Sequence, residues 1–170
     1  KATINMAAGG GPAAYLNGVS ARDVDVRATV SDDKPGSGGG IYTSFAMRRE
    51  GTTDYRGTVR VTATAVTAQV VRNVDGTETV LGQANLSGGA LAANAVLNVR
   101  VQAIGASPTT IRMKVWRDGT AEPTGWTLSQ TDNTAALQKA GAVGVHSYLS
   151  GSATNAPIKA QFGRFQVEPA

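Results

Sequence analysis

The sequence predicts an all-β protein, a two-sheet antiparallel sandwich with one short helix. Three observations carry that reading. Apolar and polar residues alternate with period two through most of the chain, as in strands with one face buried. Glycine contributes 21 of 170 residues, whereas charged residues make up only 16%. Turn-formers therefore abound, and the long charged side chains that coat surface helices are scarce. Turn signals also punctuate the alternating runs at regular spacing.

Taken in order, Ala2, Ile4 and Met6 alternate in a first strand over residues 1–6. This strand is expected to pair with an inner strand near residues 158–167. Val24, Val26, Ala28 and Val30 alternate with Asp25, Arg27 and Thr29, and the run ends at Asp32-Asp33-Lys34-Pro35 and the glycines that follow. Residues 41–49 form the next strand, with Tyr42 and Phe45 on opposite faces. After a turn over 50–54, residues 55–65 place Val59 and Val61 on one side and Arg56, Thr58 and Arg60 on the other. Asp75-Gly76 between two β-rich runs is the strongest hairpin signal of the chain. Leu97, Val99, Val101 and Ala103, then Ile111, Met113 and Val115, mark two further strands, and 126–131 a short one. Residues 133–139 are expected to form a helix of about two turns, stopped by Gly141. Strands over 142–149 and 158–167 close the chain. Long strands in meander order favour the double-sheet jelly roll.

Composition excludes several classes. A helical bundle or coiled coil does not fit so few charged residues. An apolar content of 41% argues against disorder. No apolar run approaches the ~20 residues that span a bilayer, so no membrane span is expected. Zero Cys removes disulfides, thiolate zinc sites and a cysteine nucleophile. The net charge of +4 arises from scattered basic residues, the densest pair being Arg48-Arg49. Nucleic-acid binding, which calls for a clustered patch, is not expected.

Catalysis is not expected either. The one histidine, His146, has no nucleophile elbow near it and reads as a partly buried strand residue. Asp23 and Asp25 point to one face but read as a solvated edge, and no denser cluster of acids supplies a glycosidase pair.

The second half carries a family resemblance. Val99-Arg100-Val101-Gln102 leads to Ser107-Pro108-Thr109-Thr110-Ile111-Arg112-Met113-Lys114-Val115-Trp116-Arg117-Asp118-Gly119. Then come Glu122-Pro123, Trp126 and the run from Tyr148 to Pro157. This pattern resembles the concanavalin A-like, laminin-G-like jelly-roll module of large secreted actinobacterial proteins, often near PKD-type domains. The resemblance spans about residues 23–167. It implies a secreted, extracellular or virion-surface setting and a lectin-like or glycan-binding module. Family modules begin with an aromatic-rich strand region that has no equivalent here. Residues 1–170 are accordingly expected to be a single β-sandwich domain, the C-terminal part of a longer protein, its leading strands either absent or lying in another segment; the alternative is a complete module that lacks the family's leading strands. An edge left open by them is expected to pair with a neighbouring domain or chain.

The functional expectation is a non-catalytic extracellular module that binds a glycan or cell-surface polysaccharide or mediates adhesion. The alternatives are a structural virion module (tail or capsid decoration) or cell-surface assembly module and, more weakly, a glycoside hydrolase-type domain. Candidate ligand-binding residues are Tyr42, Arg48, Arg100, Arg112, Trp116 and Tyr148. Trp116 is either a platform or, preferably, a lid packed on Trp126 and Pro123. Arg56, Arg60, Arg100, Gln102 and Arg112 read as the outer face of one sheet. No cofactor is expected. Were calcium bound, Asp32, Asp33 and Asp54 would supply oxygens, although turn-forming Asp is the simpler reading.

Overall fold

A computed structural model describes residues 1–170 and shows a sandwich of two antiparallel six-stranded sheets. Strands are numbered in chain order. The first sheet runs, in spatial order, β1 (Ala2–Met6), β12 (Ile158–Pro169), β3 (Val24–Asp32), β8 (Leu97–Ile104), β9 (Thr109–Arg117) and β10 (Leu128–Asp132). The second runs β2 (Ala13–Ala21), β11 (Gly141–Leu149), β4 (Ile41–Glu50), β5 (Thr53–Val61), β6 (Val66–Val74) and β7 (Thr77–Asn85). No helix is long and apolar enough to cross a membrane.

The alternation read from the sequence is the alternation of the core. Val24, Val26, Ala28 and Val30 of β3 face inward beside Val99 and Val101 of β8 and Ile111 and Met113 of β9. Phe45, Val59, Ala68 and Val70 meet them from the second sheet. The sheets approach so closely that a Cβ at Gly57 would lie 2.5 Å from Cγ2 of Val101. Only glycine fits there. The β6–β7 hairpin turns at Asp75-Gly76, both with positive φ, as that dipeptide predicts. The first strand pairs with β12 from Ala2↔Phe162 to Met6↔Ile158, in the expected place.

The expected two-turn helix over 133–139 is a single 3-10 turn, Ala135–Leu137. Thr134 makes no capping hydrogen bond. The Gln138 side chain donates instead to the carbonyls of Thr134 and Asp132, competing with a helical ladder. Gly141 is no helix stop but the first residue of β11. A Cβ there would stand 2.4 Å from the backbone carbon of Arg48.

Arg48 lies where the sheets are pinned together. Met47 and Glu50 flank a break in the β4–β5 register, and Arg48 has φ 52°. This bulge swings its side chain into the sandwich, with none of it exposed. Nε donates to the Arg22 carbonyl at 2.6 Å. Nη1 donates to Thr109 Oγ1 at 2.6 Å and to the Leu137 carbonyl at 3.0 Å, and Nη2 to the Gly105 carbonyl at 2.6 Å. Asp23 stands 3.4 Å from Nη2. Burial pulls the guanidinium below its usual range, opposed by the Asp23 charge.

Two outcomes follow for stability. Arg48→Met strands the carbonyls of Arg22 and Leu137, each costing about 1–3 kcal/mol when unpaired, and leaves that of Gly105 only its bond from Thr109 Oγ1. The thermal midpoint should fall by roughly 10 °C, at about 2–4 °C per kcal/mol for this size; an unchanged melt would disprove the role.

The second outcome concerns Asp32, on the core-facing side of β3, whose buried Oδ1 has no partner. Burial, then the charge of Asp33, pushes its carboxyl up to about 7. The fold holds a proton that the unfolded chain releases near 3.8. Its contribution to stability is therefore complete below pH 4 and is lost as pH rises toward 7. Asp32→Asn should melt at least ~2 °C above the parent at pH 8 and converge with it at pH 4. Urea melts of both proteins across this range isolate the effect from His146, which loses stability in the opposite direction.

Candidate ligand-binding face

The outer face of the second sheet carries a groove, and strand register builds it. Three transverse rows cross the sheet. Tyr148 of β11, Tyr42 of β4, Arg60 of β5 and Thr67 of β6 form the first. His146, Ser44, Thr58, Gln69 and Gln83 form the second. Tyr15 of β2, Gly144, Ala46, Arg56, Val71 and Val80 form the third. Each row collects one parity of the alternation, because antiparallel partners point to the same side.

Small and neutral residues at the centre leave a depression of about 490 Å³, with Ser44, Thr58 and Gln69 as its floor. Ser44 Oγ and Thr58 Oγ1 share a hydrogen bond of 2.8 Å, and Gln69 Nε2 donates to Gln83 Oε1 at 3.1 Å. At one end the Tyr42 and Tyr148 rings lie 5.8 Å apart, tilted by 52°. The Arg60 guanidinium sits 5.3 Å from the Tyr42 centroid and donates twice to the Gly39 carbonyl. Val71, Val80 and Glu78 form the opposite wall. This mix of aromatic, apolar and neutral hydrogen-bonding groups suits a polyhydroxylated ligand, whose rings present both apolar and polar surface.

Charge on this face is internally balanced around Arg56. Its Nε and Nη2 donate to Asp54 at 2.6 and 3.3 Å, and Nη1 donates to Glu78. Burial raises the Asp54 carboxyl, although Arg56 opposes the shift. Beyond this cluster lies a second depression of about 260 Å³, lined by Tyr15, Arg49, Asp54, Asn73, Glu78 and His146. His146 and Glu78 line both. Burial, reinforced by the Arg56 charge, holds the His146 imidazole below its usual pKa of 6.5, with Glu78 acting against it. The side chain is neutral at pH 7 and offers one donor and one acceptor.

The six candidates from the sequence separate. Tyr42 and Tyr148 meet in the groove. Arg48 does not reach it, because the β4 bulge takes it into the core. Arg100, Arg112 and Trp116 lie on the outer face of the first sheet. The expected single stripe of Arg56, Arg60, Arg100, Gln102 and Arg112 is therefore divided between opposite faces, since β5 and β8 belong to different sheets. On the first sheet the polar groups satisfy one another. Arg100 donates to Asp25 at 2.5–3.1 Å and to Glu122 at 3.2 Å. Gln102 donates to Asp25 and accepts from Arg112, each within 2.8 Å. Lys114 donates to the Pro123 carbonyl at 2.7 Å. Trp126 lies over Arg112 and Lys114, at 4.6 and 5.1 Å. The segment over 118–127 thus latches onto this face, and Trp126, not Trp116, is its aromatic cover.

The calcium candidates also part company. Asp32 ends β3 in the first sheet and Asp33 follows it, its Oδ1 accepting from Lys159 N at 2.8 Å. Asp54 lies in the second sheet, tied to Arg56. No three His, Cys, Asp or Glu residues stand together as a metal site.

Apart from Tyr42 and Tyr148, the groove residues were missed by sequence reading: Ser44, Thr58, Gln69, Val71, Glu78, Val80 and His146. Their signal was the polar parity of each strand; the Asp75-Gly76 hairpin alone would set Gln69 opposite Gly82, and an extra residue at Leu81 shifts the register so that Gln83 faces it.

Comparisons with known proteins agree on architecture. No protein-family model matches the chain, and no curated protein does. Among solved structures, a carbohydrate-binding module CBM66 from Bacillus subtilis superposes with a TM-score of 0.61 at 16% identity, covering 88% of this chain and 77% of that one. A GH43 protein from Bacillus licheniformis matches with a TM-score of 0.58 at 12% identity, covering 88% of this chain but 28% of that one. A CBM2 module of an evolved Dit from Lactobacillus casei BL23 phage J-1 matches with a TM-score of 0.51 at 10% identity, covering 97% of this chain and 66% of that one. A carbohydrate-binding module, a GH43 protein and a phage Dit module thus share this sandwich.

The His146 environment predicts its titration. Its imidazole resonances should titrate below pH 6.5, and Glu78→Gln should lower the midpoint further by removing the one acid that favours the cation. A midpoint above 6.5 in NMR titration would contradict the geometry.

Proposed function

We propose that this domain is a non-catalytic glycan-binding module of an extracellular protein, and that it binds a saccharide along the groove of the second sheet. The observation that carries the reading is the groove itself. The tilted Tyr42–Tyr148 pair stands beside a floor of hydrogen-bonding side chains, on a face left uncovered while the opposite face is latched shut. Likeness to a carbohydrate-binding module supports it. The acids at the groove argue for binding over hydrolysis. Asp54 and Glu78 are both committed to Arg56, so neither is a free proton donor or nucleophile.

A second reading, a virion module, is favoured by the likeness to the phage Dit module over 97% of this chain. The two readings are compatible, because a virion module that holds a host polysaccharide would use the same groove.

A glycan array followed by affinity electrophoresis tests the assignment. Tyr148→Ala and Gln69→Ala should each weaken retention by about tenfold, the loss of one stacked or hydrogen-bonded contact. Arg112→Ala and Trp116→Ala, on the other face, should leave retention unchanged. If the second pair abolishes binding and the first does not, the ligand sits on the wrong sheet for this proposal.

A further inference from the structure

One cation on the groove face has no hydrogen-bond partner. Arg49 follows the β4 bulge, and its guanidinium lies 3.7 Å from the Tyr15 ring centroid. Its closest carboxylate contact is Asp54 Oδ2, 4.0 Å from Nε, beyond hydrogen-bond range. Asp54 and Glu78 are bonded to Arg56, and Glu50 pairs with Lys139. Arg49 therefore keeps unspent N–H donors while its plane is held against Tyr15. Held in this way, the guanidinium is pre-organised for a carboxylate, which its planar fork matches in a two-pronged contact.

Arg49 is also reachable from the groove. It lines the second depression, which shares His146 and Glu78 with the first. Its side chain is 22% exposed. It lines as well a neighbouring hollow of about 340 Å³ with Asn17, Ser20 and Lys139. A saccharide chain resting on Tyr42 and Tyr148 would extend across His146 and bring a later ring to Arg49.

We propose that Arg49 reads a carboxylate and that the ligand is an acidic polysaccharide containing uronate residues. The inference rests on the groove as the glycan site and narrows the class of glycan that it takes. The first depression holds the sugar through stacking and neutral hydrogen bonds. Arg49 adds a charge-assisted pair that a neutral polymer cannot form.

Polygalacturonate and glucuronoxylan, each as the free acid and as its full methyl ester, separate these contributions in affinity electrophoresis and calorimetry at 150 mM salt. At least one free acid should bind about tenfold more tightly than its ester. Arg49→Gln should remove that preference. Arg49→Lys should lose most of it, because the charge stays but the fork is gone. Lys1→Gln, an exposed charge at the chain start, should keep the preference and so controls for net charge. Circular dichroism melts of the Arg49 variants should match the parent, since no hydrogen bond is lost. Equal binding of acid and ester, a preference that survives Arg49→Gln, or an equal loss with Lys1→Gln would each overturn the inference. Binding of neutral polysaccharides alone would overturn it while leaving the groove assignment intact. Binding of no polysaccharide in a broad panel would overturn both.

Discussion

The buried guanidinium of Arg48 is the constraint on which the arrangement of the second sheet turns. Four hydrogen bonds from one side chain reach the residue before Asp23, the β8–β9 turn, the start of β9 and the 3-10 turn. These segments come from both sheets and are remote in sequence. A side chain so placed cannot be exchanged for an apolar one without leaving carbonyls unpaired in the core. It also fixes the backbone of β4. By strict alternation, Arg48 shares the parity of Tyr42, Ser44 and Ala46 and would lie on the groove face. The bulge at Arg48 breaks that parity. It sends Arg48 inward and brings Arg49 out onto Tyr15. One irregular residue thus decides which of two adjacent arginines ties the sandwich and which one faces a ligand.

The two outer faces show how similar residues reach opposite ends. Each sheet presents arginines, glutamines and aromatics outward. On the first sheet the segment over 118–127 folds back, and Glu122 and Pro123 give acceptors to Arg100 and Lys114 while Trp126 covers the cations. Most of the donors under this segment are answered within the chain. On the second sheet no such segment returns across the strands. Pairing is lateral instead, Ser44 with Thr58 and Gln69 with Gln83, at the floor of the depression. A segment that covers one face and a depression left in the other are stronger evidence for the placement of a site than composition, which barely differs between them.

Much of the fold was legible because a half-buried strand has one strong period and a hairpin has one strong dipeptide. Val24 to Val30, Leu97 to Ala103 and Asp75-Gly76 were read correctly for that reason. What escaped depends on events that alternation does not encode. The bulge at Arg48 and the close approach of Gly141 to it are tertiary, and so is the competition of Gln138 for helical carbonyls. Of the candidate site, the two tyrosines were legible as candidate ligand-binding aromatics, Tyr42 on the face opposite Phe45. Ser44, Thr58 and Gln69 are unremarkable in sequence and acquire meaning only when register sets them side by side. Arg100 and Arg112 were misassigned to the face of Arg56 because sequence parity reports inside from outside but not which sheet a strand joins.

Lateral pairing also bears on how the groove can bind at all. Ordering a long polar side chain at an interface costs about 0.5–1.5 kcal/mol, which a weak sugar contact hardly recovers. Here Gln69 is already held by Gln83, Ser44 by Thr58, and the guanidinium of Arg60 by the Gly39 carbonyl above Tyr42. The side chains are ordered before a ligand arrives, and that cost is met in folding. Each pair still has lone pairs or protons to spare, since a hydroxyl or an amide offers more than one hydrogen bond. A strand scaffold achieves this because neighbours across a register lie within about 5 Å of each other. The same rule that buries valine against valine on the inner face sets polar partner against polar partner on the outer one, so the rigidity of the groove is a direct product of the register that builds the core.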